Sequence, residues 1–310
     1  MLTVETVSGP VAAEELGVTD YHEHLCFQAP AWLLREDPDF ALNDVDKSAE
    51  ELRAWHAAGG KTLLEMSAID FGRDIRAVRQ IAKQVPEVNI IATTGFNKPY
   101  YCDRWVAEAP EAELVKLCVR DLTVGIDGTD SKAGVIKGGT GYNMITPLGA
   151  KLLRVAAQAH LETGAPIITH TEAGTMGLEQ LELLAAAGVS PKRVCLSHLD
   201  RNPDFWLHRK IAEAGAYLGY DCPGKIKYGP DELRISVLRR LVEAGYGKQI
   251  LLGNDLGRPS YWRSYGGGPG LDFVLTKFVP RLREEGFSEE TLQDLLVNNP
   301  RRFLAGREEI

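Results

Sequence analysis

Short apolar runs alternate with amphipathic stretches along this chain, and the alternation constrains the fold more than any other feature. A run of this kind followed by a helical pattern indicates a parallel sheet covered by helices. Eight runs are present, which is the number of strands that closes a (β/α)8 barrel. The predicted strands are Val18–His22, Thr62–Met66, Asn89–Thr94, Gly134–Lys137, Pro166–His170, Val194–His198, Ala216–Tyr220 and Ile250–Asn254.

The stretches between the predicted strands have the spacing of surface helices. Ala150–Glu162 and Gly177–Ala187 repeat apolar residues at intervals of three to four, and Gly164 and Gly188 stand where the helices should end. A length of 310 residues suits one α/β barrel, and no linker or low-complexity tract interrupts it. The fold class predicted is therefore α/β, a TIM barrel in a single domain spanning 1–310.

Charge and cysteine content restrict the partners. A net charge of −8 argues against nucleic acid and anionic membranes, because both require a basic surface. The first residues lack the basic and apolar regions of a signal peptide, so a cytoplasmic location is expected. Five scattered cysteines without a CxxC pair indicate reduced thiols. We expect a small-molecule substrate; the sequence leaves the oligomeric state open, with a homodimer as one option.

Histidines are concentrated at the ends of the predicted strands. His22, His170 and His198 each end a predicted strand, and His24 lies two residues beyond the first of these strands. Asp255 directly follows the last predicted strand. Side chains two apart on a strand project to the same side, so His22 and His24 should point together into the barrel mouth. Imidazoles and a carboxylate converging there predict a site for divalent metal ions. The remaining histidines lie in helical patterns and are interpreted as surface or packing residues: His56, His160 and His208.

Lys137 ends the fourth predicted strand and would lie among these ligands. Alone, a lysine after an apolar run is most often a surface residue whose ammonium group reaches solvent. Between divalent cations the pKa of its amine must fall, because a charged ammonium group would be repelled. A neutral amine can react with carbon dioxide, and the resulting carbamate (N6-carboxylysine) could bridge two metals.

Seven ordered motifs together carry a family resemblance. The chain resembles the phosphotriesterase family of the amidohydrolase superfamily. The motifs are HisGluHis (22–24), PheGlyArgAsp (71–74), ThrGlyPhe (94–96), IleLysGly (136–138), ThrHisThrGlu (169–172), SerHisLeuAsp (197–200) and GlyAsnAsp (253–255).

The resemblance implies a TIM barrel with two metal ions. One would be held by His22, His24 and Asp255 and the other by His170 and His198. A carboxylated Lys137 and a hydroxide would bridge them. Two metals lower the pKa of a shared water toward neutrality, and Asp255 would act as the catalytic base that takes its proton. The ligand types suit zinc but also manganese, cobalt or iron.

Positive charge in two loops predicts the substrate class. Lys225 and Lys227 follow the seventh strand, and Arg258 and Arg263 follow the eighth, so all four are expected at the rim of the pocket. Such groups, with the hydroxyl of Tyr261, can bind a phosphate.

The pattern is similar to that of the phospho-furanose lactonases. By this likeness Lys227, Arg258 and Tyr261 would bind the substrate phosphate, although the choice between Lys225 and Lys227 rests on register alone. The competing interpretation is that these are solvated loop charges. The resulting hypothesis is hydrolysis of a lactone ring in a phosphorylated sugar by a metal-bridging hydroxide.

Two other kinds of function remain open at this stage. The same metals could hydrolyse phosphotriesters, acyl-homoserine lactones or simple γ-lactones, or the barrel could hold metal without turnover. Asn97 stands where several lactonases of the family carry a tyrosine over the metals, which weakens the homoserine-lactone alternative.

Overall fold

The computed structural model describes residues 2–306 and contains the predicted parallel sheet. A two-stranded antiparallel hairpin, β1 (Thr3–Thr6) with β2 (Gly9–Ala12), precedes eight parallel strands that neighbour one another in chain order. The eight strands are β3 (Thr19–Glu23), β4 (Thr62–Glu65), β5 (Asn89–Gly95), β6 (Ala133–Gly139), β7 (Ile167–His170), β8 (Val194–Ser197), β9 (Tyr217–Tyr220) and β10 (Ile250–Leu252). Each lies within two residues of its predicted bounds, whereas the hairpin was not anticipated.

Contacts between the first and last parallel strands close the sheet. Strand β10 packs against β3, and just beyond it the backbone N–H of Asp255 donates a hydrogen bond to the carbonyl of His22 at 2.9 Å. Helices connect the strands on the outside. These observations confirm the (β/α)8 barrel.

Capping residues mark the ends of several helices. The Asp44 side chain accepts hydrogen bonds from two backbone N–H groups at the start of the helix Val45–Ala57, and Thr146 accepts one at the start of the helix Pro147–Thr163. Gly164 ends that second helix in the left-handed conformation, as predicted. The helices are α1 (Ala31–Glu36), α2 (Val45–Ala57), α3 (Ile75–Gln84), α4 (Arg104–Glu108), α5 (Glu111–Thr123), α6 (Pro147–Thr163), α7 (Gly177–Ala186), α8 (Phe205–Glu213), α9 (Asp231–Glu243), α10 (Val279–Glu284), α11 (Glu289–Gln293) and α12 (Asn299–Ala305).

Inside the barrel, apolar side chains form a core that is separate from the layer beneath the helices. Ile91, Val135 and Ile168 belong to this inner cluster. Because side chains alternate along a strand, the residues two places after Val135 and Ile168 point the same way. These are Lys137 and His170, which lie at the carboxyl ends of β6 and β7.

The opposite end of the barrel is closed by apolar packing. Phe303 of α12 contacts Tyr217 of β9 with ring centroids 5.0 Å apart, and Val4 of the hairpin joins the same cluster. The polar mouth therefore lies at the carboxyl ends of the strands. Among residues 2–306, none of the helices combines the length and hydropathy that a membrane span requires.

Candidate metal centre

Three predicted ligands meet at the junction of β3 and β10. The pairing register of β3 with β4 shifts between Asp20 and Glu23, and His22 lies within this irregular stretch. The Nε2 atoms of His22 and His24 lie 3.9 Å and 3.5 Å from Oδ1 of Asp255. Three donor atoms this close together can converge on one cation.

The second nitrogen of each of these rings is held by a serine. Nδ1 of His22 lies 3.0 Å from Oγ of Ser197, and Nδ1 of His24 lies 2.9 Å from Oγ of Ser67. Hydrogen bonds to the far nitrogen fix the orientation of a histidine ligand. Both rings are therefore arranged to present Nε2 to the barrel mouth.

His170 and His198 form the other side of the cluster. Their ring centroids are 4.5 Å apart, and His198 also lies 4.9 Å from His22. Nδ1 of His198 lies 2.7 Å from a carboxylate oxygen of Asp221, and Nε2 of His170 lies 3.0 Å from Glu172. Carboxylates thus hold one nitrogen of each ring and leave the other as the ligand atom. Burial lowers the pKa of His170 to about 4, which favours the neutral ring that metals bind.

Lys137 lies in the middle of the cluster. Its side chain is 2 % exposed, and Nζ is 3.2 Å from Nε2 of His22. Burial lowers the pKa of the Lys137 amine to about 8, although the negative charge of Asp255 opposes the shift. Imidazoles around a buried amine, with a carboxylate beside them, make a donor set that fits divalent cations.

Asp255 is held in place by two positively charged side chains. Its backbone has a φ of +51°, and its Oδ2 accepts hydrogen bonds from Arg201 at 2.8 Å and from Lys225 at 3.1 Å. Burial alone would raise the pKa of Asp255. The charge of Lys225 and a hydrogen bond from His24 outweigh burial and hold that pKa well below its usual value. Oδ2 is thus occupied, while Oδ1 faces the histidines.

One cavity connects the cluster with the charged loops. It has a volume of about 230 Å³. Its lining includes all six predicted metal ligands and all three predicted phosphate ligands: His22, His24, Lys137, His170, His198 and Asp255, with Lys227, Arg258 and Tyr261. Side chains from six strands or the loops that follow them therefore face one space.

The loop cations differ in what they contact. Lys225 is buried against Asp255, whereas Lys227 lies over the ring of Tyr261 at 5.2 Å and forms no ion pair within residues 2–306. Arg258 donates to Asp37 at 2.6 Å. Arg263 was expected at the rim of the pocket, but it pairs with Asp272 at 2.8 Å and is not part of the cavity lining.

The sequence interpretation did not anticipate the residues that hold the predicted ligands. Ser67, Ser197 and Asp221 support histidines, Glu172 supports His170, and Arg201 holds Asp255. Their signal in the sequence is position: each stands at, or within four residues beyond, the end of a strand. The three other histidines lie on α2, α6 and α8, as predicted: His56, His160 and His208.

Comparison with known proteins assigns nearly the whole chain to one family. The family model described as "Phosphotriesterase family" matches residues 2–304. The chain belongs to the phosphotriesterase family.

Relatives with solved structures share the entire barrel. A lactonase from Listeria monocytogenes superimposes with a TM-score of 0.94 at 37% identity, covering 97% of this chain and 98% of that one. A phosphotriesterase homology protein from Escherichia coli, whose structure holds phosphate in its active site, gives 0.90 at 35% identity, with 94% and 99% covered. A phospho-furanose lactonase from Mycoplasmopsis synoviae is 38% identical, with 97% of this chain and 91% of that protein covered.

Proposed function

We propose that this protein is a metal-dependent lactonase that opens a five-membered sugar lactone bearing a remote phosphate. The observation that carries the proposal is the shared cavity, which places Lys227, Arg258 and Tyr261 in the same space as the metal-capable cluster. The relatives named phospho-furanose lactonase and lactonase support this substrate class.

The donor set supports two divalent cations, with zinc as our proposed metal. His22, His24 and Asp255 would hold one ion, His170 and His198 the other, and a carboxylated Lys137 would bridge them. Bound there, such ions would make a water nucleophilic near neutral pH and polarise the lactone carbonyl.

The protein side chains would position the substrate and move the proton. Asp255 presents Oδ1 toward the histidines, so this oxygen is the proposed proton acceptor when water attacks the carbonyl. Asp221 holds the ring of His198 by its Nδ1 at 2.7 Å. A network fixed before the substrate arrives needs little rearrangement during the reaction.

Phosphate recognition is assigned to Lys227, Arg258 and Tyr261. Lys227 forms no salt bridge within residues 2–306 and lies over the rings of Tyr228 and Tyr261, so its ammonium group can bind an anion. Arg258 shares its guanidinium group with Asp37, and the remaining N–H groups can donate to phosphate oxygens. The proposed ligand is therefore a small anion, in keeping with a cationic rim on a chain whose net charge is −8.

Matched substrates test this assignment. A γ-lactone with a phosphate on its side arm, the same lactone without the phosphate, and an aryl phosphotriester would be assayed with metal-loaded protein. We expect kcat/KM to be highest for the phosphorylated lactone. In Lys227→Met and Arg258→Met, KM for this substrate should rise roughly 10-fold or more, because each removes a charge-assisted hydrogen bond.

Lys116→Met, which alters an exposed lysine on α5, is the matched control and should leave KM unchanged. Equal hydrolysis of the two lactones by the wild-type protein would reject the phosphate assignment. Preference for the phosphotriester, or no turnover of any of the three substrates, would reject the lactonase itself.

A further inference from the structure

The amide of Asn97 is a hydrogen-bonding group in the cavity wall that lacks a partner. Asn97 is 7 % exposed and lines the cavity, and its Oδ1 is buried without a hydrogen-bond donor. Within residues 2–306 a few other buried side-chain atoms also lack partners, but none of those residues lines this cavity. A buried amide oxygen without a donor is unfavourable, and because Asn97 lines the ligand cavity, a ligand bound there can supply the missing donor.

The backbone around Asn97 is held firmly, so the unpartnered amide does not result from a loose loop. The N–H groups of Asn97 and Lys98 donate to the two carboxylate oxygens of Asp70 at 2.7 Å and 3.1 Å. A Cβ atom on Gly139 of β6 would lie 2.1 Å from the carbonyl oxygen of Asn97, so only glycine permits this close packing. The loop therefore holds the side chain of Asn97 at the cavity.

Asn97 lies across the barrel mouth from the proposed phosphate ligands. It follows β5, the third of the eight parallel strands, whereas Lys227 follows β9, the seventh. Four strands apart in an eight-stranded barrel is the diametrically opposite position. The metal-capable cluster lines the same cavity, so a ligand with its phosphate near Lys227 would extend over the cluster toward Asn97.

We propose that the amide of Asn97 binds the hydroxyl group on the ring carbon next to the lactone carbonyl, and that it selects lactones carrying this hydroxyl. The inference rests on the proposed lactonase function. In a five-membered lactone with a phosphate arm, the carbonyl carbon and its neighbouring ring carbon lie across the ring from the carbon that bears the arm. With the phosphate at Lys227 and the carbonyl over the cluster, the hydroxyl next to the carbonyl faces Asn97.

The chemistry of the amide matches a hydroxyl group. An amide offers a carbonyl acceptor and N–H donors, and a hydroxyl can donate to the first while it accepts from the second. The neighbouring Lys98 is engaged in an ion pair with Glu172, which in turn holds His170. Of these two adjacent residues, Asn97 is therefore the one whose side chain can form a hydrogen bond with a ligand.

Three phosphorylated lactones test the assignment: one with hydroxyls on both free ring carbons, its 2-deoxy counterpart and its 3-deoxy counterpart. We expect the wild-type protein to favour the parent lactone over the 2-deoxy lactone by roughly 10-fold or more in kcat/KM. Asn97→Leu keeps the size of the side chain without its hydrogen bonds. It should lower kcat/KM for the parent and 3-deoxy lactones by a similar factor, and leave the 2-deoxy lactone nearly unchanged.

Control variants separate recognition from folding. Tyr100→Phe changes an exposed residue of the same loop and should preserve all three rate constants. Asn97→Ala removes the amide without apolar bulk, and circular dichroism and metal content show whether each variant folds. Equal losses of Asn97→Leu on the parent and 2-deoxy lactones would overturn the assignment, as would an unchanged preference between them.

Calorimetric binding of the corresponding sugar acids distinguishes failure of this inference from failure of the lactonase. The wild-type protein should bind the phosphorylated 2-hydroxy acid more tightly than the 2-deoxy acid, and Asn97→Leu should not. Equal affinities in the wild-type protein would overturn the role of Asn97 even if lactones are hydrolysed. If no lactone is hydrolysed but the wild-type protein still prefers the 2-hydroxy acid and Asn97→Leu does not, the lactonase function is rejected. The role of Asn97 in binding the hydroxyl group is then retained.

Discussion

The ammonium group of Lys225 donates hydrogen bonds to two oxygen atoms of Asp255. Nζ donates to the backbone carbonyl oxygen of Asp255 at 2.6 Å and to its Oδ2 at 3.1 Å. Lys225 is 3 % exposed, and the two residues lie in the loops that follow the neighbouring strands β9 and β10. A lysine in this position is committed to holding the carboxylate, which leaves Lys227 as the lysine free to bind an anion.

The two lysines should therefore give opposite kinetic phenotypes. Lys225→Met removes the contact that fixes Asp255, so we expect kcat to fall roughly 10- to 100-fold while KM for a phosphorylated lactone stays near the wild-type value. Lys227→Met should mainly raise KM. Steady-state kinetics on one phosphorylated lactone measures both parameters.

A conservative substitution separates positioning from a folding defect. Lys225→Arg retains a donor and should recover part of kcat, and circular dichroism at the assay temperature shows whether all three variants are folded. If Lys225→Met raised KM and left kcat intact, Lys225 would be the phosphate ligand and the assignment of the two lysines would be reversed.

Removal of Lys137 should remove metal from the protein. The proposed carbamate would supply oxygen ligands to both cations, so Lys137→Ala should lose stoichiometric metal and hydrolysis together. A short carboxylic acid that fits the vacated space should restore part of both. Metal analysis and lactone assays with and without added acetate or propionate measure this.

Reconstitution of the wild-type protein gives an independent check on the carbamate. After chelation, divalent metal added with bicarbonate should restore activity faster than metal added in buffer freed of carbon dioxide, because a neutral Lys137 amine must first react with carbon dioxide. Lys116→Ala should behave like the wild-type protein. Identical recovery in both buffers, with metal retained in Lys137→Ala, would contradict a bridging carbamate.

The barrel could be predicted from the sequence because its signals are local. Most parallel strands contain a short apolar run, and Gly164 ends its helix in the left-handed conformation that glycine adopts most readily. The β1–β2 hairpin was missed, because two strands of four residues carry little periodicity. Its packing beneath the barrel depends on contacts with distant residues such as Phe303.

The candidate site was predictable only in part, since strand ends identify which residues reach the mouth but not which residues they contact. His170 and His198 could be placed from their strands, whereas the pairing of His198 with Asp221 spans two strands. Arg263 shows the converse error. Its position after the last strand predicted a place at the rim, but its ion pair with Asp272 draws it away from the cavity.

Buried His208 should make the protein sensitive to moderate acid. It lies between the hydroxyl of Tyr220 at 2.6 Å and the carbonyl of Leu199 at 3.0 Å, and burial lowers its pKa to about 4. The unfolded chain binds this proton near its usual pKa of about 6.5, so stability is full above that value and declines as pH falls toward 4. The loss attributable to this residue should reach about 3 kcal/mol.

Denaturant unfolding of His208→Gln between pH 7 and pH 4 measures that contribution. The variant should lose less stability than the wild-type protein across this range, and the difference between the two proteins cancels what other groups contribute. His56→Gln, which changes a partly exposed histidine on α2, should follow the wild-type curve. Parallel curves for His208→Gln and the wild-type protein would mean that His208 is not buried as a neutral ring.

Replacement of Gly139 by alanine should displace His170 in the candidate metal centre. The added Cβ would lie 2.1 Å from the carbonyl oxygen of Asn97 and 2.7 Å from Cβ of His170, both too close to be accommodated without movement. We expect Gly139→Ala to cost roughly 1–3 kcal/mol of stability and to lower metal content, because His170 must shift. Gly141→Ala is the matched control, since its new Cβ would meet its nearest neighbour, the carbonyl oxygen of Met144, at 3.8 Å. Thermal unfolding and metal analysis of the two variants should therefore differ sharply, and equal behaviour would show that β6 does not constrain the position of His170.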